Sequence, residues 1–181
     1  IVHTGTGILM QDSCTIVWNT ILNIQETGIK ETGSAVGPVA GNYISNQYFL
    51  QKPEGTTGVD IYCETGSNVL QNYIDDMSVG ILARSARLQA PFRCAAILSG
   101  NIIAAGKSGI QLAASTDTLN GAAVTKQSHS LLVLGNQIIA GTTSIEISSV
   151  FKKCLIAQNM CPDAPIVNHG TENTVTGNVT P

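Results

Sequence analysis

Short apolar phrases bounded by Gly, Asn or Ser recur along the whole chain, and no stretch shows the 3.6-residue apolar period of an amphipathic helix. One phrase is anchored on an asparagine. It reads Val39-Ala40-Gly41-Asn42-Tyr43-Ile44, and it returns around Asn19, Asn72, Asn101, Asn136, Asn159 and Asn178. An aliphatic residue always sits three before the Asn (Ile16, Val39, Val69, Leu98, Val133, Ile156, Val175). Gly or Gln precedes it in every copy except Trp18-Asn19, and an apolar residue follows two later except at Thr180. A second phrase, Gly followed by an aliphatic residue, alternates with the first at Gly7-Ile8, Gly28-Ile29, Gly58-Val59, Gly80-Ile81 and Gly109-Ile110. Ser144-Ile145 and Pro165-Ile166 are degenerate copies. The Asn-to-Asn spacings are 23, 30, 29, 35, 23 and 19 residues, which is the signature of a repeat array with insertions in particular loops.

Two or three short strands per repeat and no helix between them predict a β-solenoid of about seven coils spanning 1–181 as one domain. Successive coils would stack about 4.8 Å apart, so equivalent side chains form ladders. Ile8, Ile29, Val59, Ile81, Ile110, Ile145 and Ile166 are expected to make one inward stack. Ile21, Ile44, Ile74, Ile103, Ile138 and Cys161 are expected to make another. The repeated Asn is expected at the bend between strands. There it tolerates left-handed backbone angles, and its amide reaches the next coil. Long excursions at about 47–57, 85–94 and 113–130 are expected either to frame a groove or to cover an edge.

Composition sharpens this picture. Only 12% of the 181 residues are charged and 4% are aromatic, against 43% hydrophobic. That excludes a disordered chain and disfavours a helical bundle. Stacking like charges every few ångströms is costly, which accounts for the low charge. A net charge of −3 without a basic run argues against nucleic acid and anionic membranes as partners, and no apolar run approaches the length of a membrane span. Cys14, Cys63, Cys94, Cys154 and Cys161 contain no CxxC and read as free thiols suited to a reducing compartment. No cofactor and no metal site is expected: His3, His129 and His169 are scattered, and no dense Asp cluster could hold calcium. The chain starts at Ile1 without a signal-peptide pattern and reads as a piece of something longer.

The alternating phrases resemble the right-handed parallel β-helix of the pectin-lyase-like superfamily, from about Gly7 to Thr180. With the low charge, abundant Asn, Thr, Ser and Gly, and free thiols, the chain most resembles a bacteriophage tailspike or tail-fibre segment. That resemblance implies a homotrimer that folds in the host cytoplasm, joins the virion tail and binds host surface polysaccharide, with or without depolymerase activity. Two alternatives stand beside it. One is a secreted pectinase-like lyase or glycosidase, and the other is a structural shaft or adhesin with no ligand site.

On the Gly-Ile strands the outward position after each aliphatic residue carries Lys30, Asp60, Gln111 and Glu146, with Tyr62 and Arg84 two residues further on. Mixed polar groups beside an aromatic ring suit a sugar, and equally an ordinary solvated sheet face. Asp60→Ala is accordingly expected to leave the thermal midpoint almost unchanged. Tyr43 and Tyr73 follow their Asn on adjacent coils, as a stabilising stack or as a sugar platform. Catalytic candidates are Asp60, Glu146 and the adjacent Asp75 and Asp76. Neighbours on a strand face opposite ways, so that last pair needs a bulge or turn between its members. Cross-coil pairs of Asp60 with Glu31, or Glu64 with Asp76, are further possibilities.

Overall fold

The computed structural model describes residues 1–32, 37–47, 54–63, 67–85, 96–115, 118–119, 122–123 and 128–181. Two parallel sheets wind around one core. The first contains the long strands Val2–Met10, Thr20–Glu31, Tyr73–Arg84 and Ile102–Ala113, together with Tyr43–Ser45, Thr57–Tyr62, Gln137–Ala140, Thr143–Ile147 and Ile166–Asn168. The second contains a short strand from every coil: Ile16–Val17, Pro38–Ala40, Asn68–Leu70, Ile97–Ser99, Leu132–Leu134, Leu155–Ala157 and Thr174–Thr176.

The long strands bend midway. Asn23 (φ 56°) and Asp76 (φ 58°) take left-handed angles, and the register slips beside them. In other coils the two halves are separate strands, as at Gln137–Ala140 and Thr143–Ile147. Each coil therefore has three faces. The short-strand face leads into the tyrosine face, which follows the Asn. The Gly-Ile face comes after the bend.

Both expected inward stacks are present. Ile8, Ile29, Val59, Ile81, Ile110, Ile145 and Ile166 pair rung by rung. Ile21, Ile44, Ile74, Ile103 and Ile138 do the same, and Cys161 is buried in the next coil. Burying each such side chain stabilises by about 1.5–3 kcal/mol.

The corner between the short-strand and tyrosine faces works differently from the sequence expectation. The left-handed residue is the one before the Asn: Trp18, Gly41, Gln71, Gly100, Gly135, Gln158 and Gly177 all have φ between 53° and 66°. That leaves each Asn free to bond along the axis. Asn101 is typical. Its Oδ1 accepts from the backbone N–H (2.9 Å) and Nδ2 (3.0 Å) of Asn72, while its own Nδ2 donates to Asn136 Oδ1 (2.9 Å) and to the Val69 carbonyl (2.9 Å). The same arrangement links Asn19 to Asn42 and onward to Asn178. Such satisfied chains of buried amides rigidify a turn that would otherwise orphan backbone groups.

The Gly of the second phrase is required by close approach. A Cβ on Gly80 would lie 2.3 Å from Ile103 Cγ2 and 2.6 Å from the Gly109 carbonyl, and Gly28, Gly58 and Gly109 are equally tight against Ile44, Ile74 and Ile138. Where Ser144 replaces the Gly, Cys161 replaces that isoleucine, so the extra atoms are accommodated by a smaller partner.

Most of the 47–57 and 85–94 excursions, and part of 113–130, lie outside the described residues. Their described parts include the antiparallel pair 118–119 with 122–123, and 128–129 beside Phe151–Lys152. Cys63, Cys154 and Cys161 are buried thiols, Cys14 is a partly buried one, none of the four is in a disulfide, and Cys94 lies outside the described residues.

Candidate functional site

The Gly-Ile face carries the polar column that the repeat implied. Leu9, Lys30, Asp60, Leu82, Gln111, Glu146 and Val167 occupy successive rungs in register. Tyr62 and Arg84 form the neighbouring column. The residues divide into two clusters and one isolated cation.

In the first cluster the Arg84 guanidinium donates from Nε and Nη2 to the two carboxylate oxygens of Asp60, both at 2.7 Å, and lies 6.0 Å from the centre of the Tyr62 ring. Asp60 and Tyr62 are only 3% and 4% exposed, and every residue of Thr57–Tyr62 is buried. Asp60 is therefore no exposed binding group. It orients Arg84, whose side chain keeps 23% of its exposure. In place of a stability-neutral Asp60→Ala, this geometry predicts a loss, because the substitution deletes two charge-assisted bonds of the Arg84 guanidinium.

In the second cluster Gln111 Nε2 donates to Glu146 Oε2 (3.2 Å) and to Ser108 Oγ (3.1 Å). All but Ser108 are partly exposed. Ser108 was not among the sequence candidates; its position three before Gln111 on the same strand was the available signal. Lys30 pairs with Asp60 in backbone register, yet it forms no ion pair among the described residues.

The acidic candidates do not assemble into one site. Asp60 and Glu146 are three rungs apart, about 14 Å at the coil spacing. Two carboxyl groups that cleave a glycoside stand about 5–9.5 Å apart. Glu31 points inward, is buried and accepts the Tyr62 N–H (3.0 Å), so it cannot pair with Asp60 on the outer side. Glu64 lies outside the described residues. Asp75 and Asp76 have the intervening turn that a pair requires, because Asp76 is the left-handed residue at the bend. Both are partly exposed.

Tyr43 and Tyr73 stack with ring centres 5.2 Å apart and planes 13° apart. Each ring covers one face of the other, so the pair presents edges and hydroxyls outward. Tyr43 Oη accepts from Gln47 Nε2 (3.0 Å). The neighbouring Asp75 carboxylate, and then burial, push the Tyr73 hydroxyl above its usual 10.0. Trp18 is 79% exposed, with its ring lying over Gly41.

Burial raises the Cys161 thiol pKa, and the nearby Ser144 hydroxyl opposes this weakly; that hydroxyl has no well-aligned hydrogen bond of its own. Among the described residues no three His, Cys, Asp or Glu side chains gather as a metal site, and no helix is long and apolar enough to cross a membrane. No curated protein and no solved structure matches the chain. The family described as right handed beta helix region matches residues 4–180, and the chain belongs to that family.

Proposed function

We propose that the protein binds host surface polysaccharide along its Gly-Ile face, as a trimeric tailspike-like component of a virion tail that folds in the host cytoplasm. The observation that carries this reading is the polar column on a rigid parallel sheet. Lys30 is unpaired among the described residues, Arg84 is held in place by Asp60, and Gln111 and Glu146 lie two and three rungs further along. A repeating array of donors and acceptors along one axis suits a polymer of hydroxyl groups, since each sugar can meet a rung without the protein reorganising. Burial of Asp60 and Tyr62 makes Lys30, Arg84, Gln111 and Glu146 the contact groups.

The test is a host-polysaccharide array probed with wild type, Lys30→Ala and Gln111→Ala, with solution viscosity followed alongside. Binding that both substitutions weaken supports the reading. No retention of any host glycan by wild type would sink it. The competing reading, a structural shaft, is favoured by one observation: the Tyr43–Tyr73 stack turns its ring faces inward on itself. On that reading the array is blank and Tyr73→Ala lowers only stability.

A further inference from the structure

The charges of this molecule are distributed unevenly around its axis. Lys30, Asp60, Arg84 and Glu146 are on the Gly-Ile face. On the other side of the axis the short-strand and tyrosine faces meet at the Asn corner, and there the picture reverses. Outward positions of the seven short strands carry no charged side chain; their middle is Leu70, Ile97, Leu132, Leu134 and Leu155. On the tyrosine face the only charged outward residue among the described residues is Asp75.

Large apolar side chains nevertheless face solvent on that face. Tyr73, Ile102, Ile139, Met160 and Val179 are between 42% and 57% exposed. Four of them fall in one column, joined rung by rung from Tyr43 and Tyr73 through Ile102 and Gln137 to Met160 and Val179. A monomer has no need of such a strip, and exposed contiguous apolar surface of this kind marks an interface. Aromatic residues and Met with few charges are also what interface cores are made of.

The geometry points to a second copy of this chain as the occupant, lying side by side with its helix axis parallel. Two arguments select it. First, the strip from Tyr43 to Val179 repeats at the coil spacing over five steps, about 24 Å. A partner solenoid built on that same spacing can meet it rung for rung, whereas a globular surface has no such repeat. Second, the two three-residue faces on either side of the Asn corner are each about 10 Å wide and, over the six steps between the seven coils, about 29 Å long, giving roughly 580 Å² between them. That is on the scale of the ~800 Å² each partner contributes to a stable interface. The inference rests on the assembly part of the reading above and assigns the surface that produces it.

The test is multi-angle light scattering of wild type, Ile102→Lys, Met160→Lys and, as a control on the opposite side, Lys30→Glu. All three substituted positions are exposed or partly exposed, so folding is verified by an unchanged β-sheet circular dichroism spectrum. Wild type and Lys30→Glu are expected at an integral multiple of 18.9 kDa, and Ile102→Lys and Met160→Lys at 18.9 kDa. A monomeric wild type overturns the inference and the trimer together. An oligomer untouched by Ile102→Lys and Met160→Lys overturns the surface alone. Glycan binding by monomeric Ile102→Lys separates the two proposals, because the polar column is on another face.

Discussion

Asn101→Ala removes one rung of the asparagine ladder from the middle of the molecule. Two donors of Asn72, its backbone N–H and its Nδ2, then lose their acceptor in a buried corner. An orphaned buried donor costs about 1–3 kcal/mol, so the pair costs about 4 kcal/mol. Asn136 Oδ1 still accepts the Asn101 backbone N–H and is not orphaned. For a domain of this size about 4 kcal/mol corresponds to a fall of roughly 8–16 °C in the thermal midpoint. The ladder has a direction, and that makes the test discriminating. Asn19 stands at its acceptor-free end: its Oδ1 serves no other coil, and its Nδ2 donates to Asn42 Oδ1 and the Val17 carbonyl in a partly exposed setting. Asn19→Ala should therefore cost only about 1 kcal/mol, roughly 2–4 °C. Asn178 is also terminal, but it accepts both donors of Asn159, so Asn178→Ala should fall between the two. Melting followed by circular dichroism and by the fluorescence of Trp18, the single tryptophan, measures the midpoints and checks that the transition is cooperative. Equal losses for Asn19→Ala and Asn101→Ala would refute the directional ladder.

Gly80→Ala should cost at least about 3 kcal/mol in chemical denaturation, since its Cβ meets backbone as well as Ile103. Gly135→Ala, with open space but φ 61°, should cost only about 1–2 kcal/mol. Cys161→Ile should destabilise by about 1–3 kcal/mol alone, yet be neutral or stabilising with Ser144→Gly; additive effects in that double-mutant cycle would deny the size exchange. Asp60→Ala should lower stability by about 1–3 kcal/mol, discounted for the 23% exposure of Arg84, and Arg84→Met should lower it more because it strands the buried carboxylate. The reverse order in urea titrations would show that the pair is not held as described.

The axial organisation was legible because it rests on periodicity. Once Asn42 and Asn72 were aligned, the register of every inward isoleucine followed, and so did the outward column from Lys30 to Glu146. The same alignment held the Asp60–Arg84 pair, diagonal neighbours of opposite charge one rung apart. What it could not show was whether an outward position is covered: Asp60 and Gln111 occupy equivalent positions, yet one is buried and the other partly exposed. Covering groups come from elements distant in sequence, and alternation along a strand carries no information about them. The corner was half legible. Asn was correctly placed at the bend, but the left-handed angle belongs to its predecessor. The sequence cue was the Gly or Gln that recurs there, since only a residue with little conflict at positive φ is accepted repeatedly. Ser144 and Cys161 were visible as separate departures from their phrases. That they compensate each other required knowing that the Gly column packs on the following coil's isoleucine.

The ladder principle also decides which charged residues can be functional. A charge on a parallel coil has equivalents about 4.8 Å above and below it, so it is tolerated only where a neighbouring rung is neutral or opposite. Asp60 obeys this through Arg84, and Lys153 through Glu172 at 3.6 Å. Glu146 has neutral neighbours, Gln111 and Val167. Lys30 is the exception in kind. Its register neighbours are Leu9 and Asp60, and the one carboxylate among them is already committed to Arg84 on the next coil. A carboxylate with both oxygens held by a guanidinium is a poor partner for a second cation, and this leaves the Lys30 ammonium without an ion-pair partner among the described residues. A neutral or acidic polymer lying along the column would meet that ammonium first. The same logic bears on the proposal for the tyrosine face, where Asp75 is the only charged outward side chain among the described residues. Stacked neutral side chains need no counter-charge, so only water has to be displaced when a second solenoid covers them.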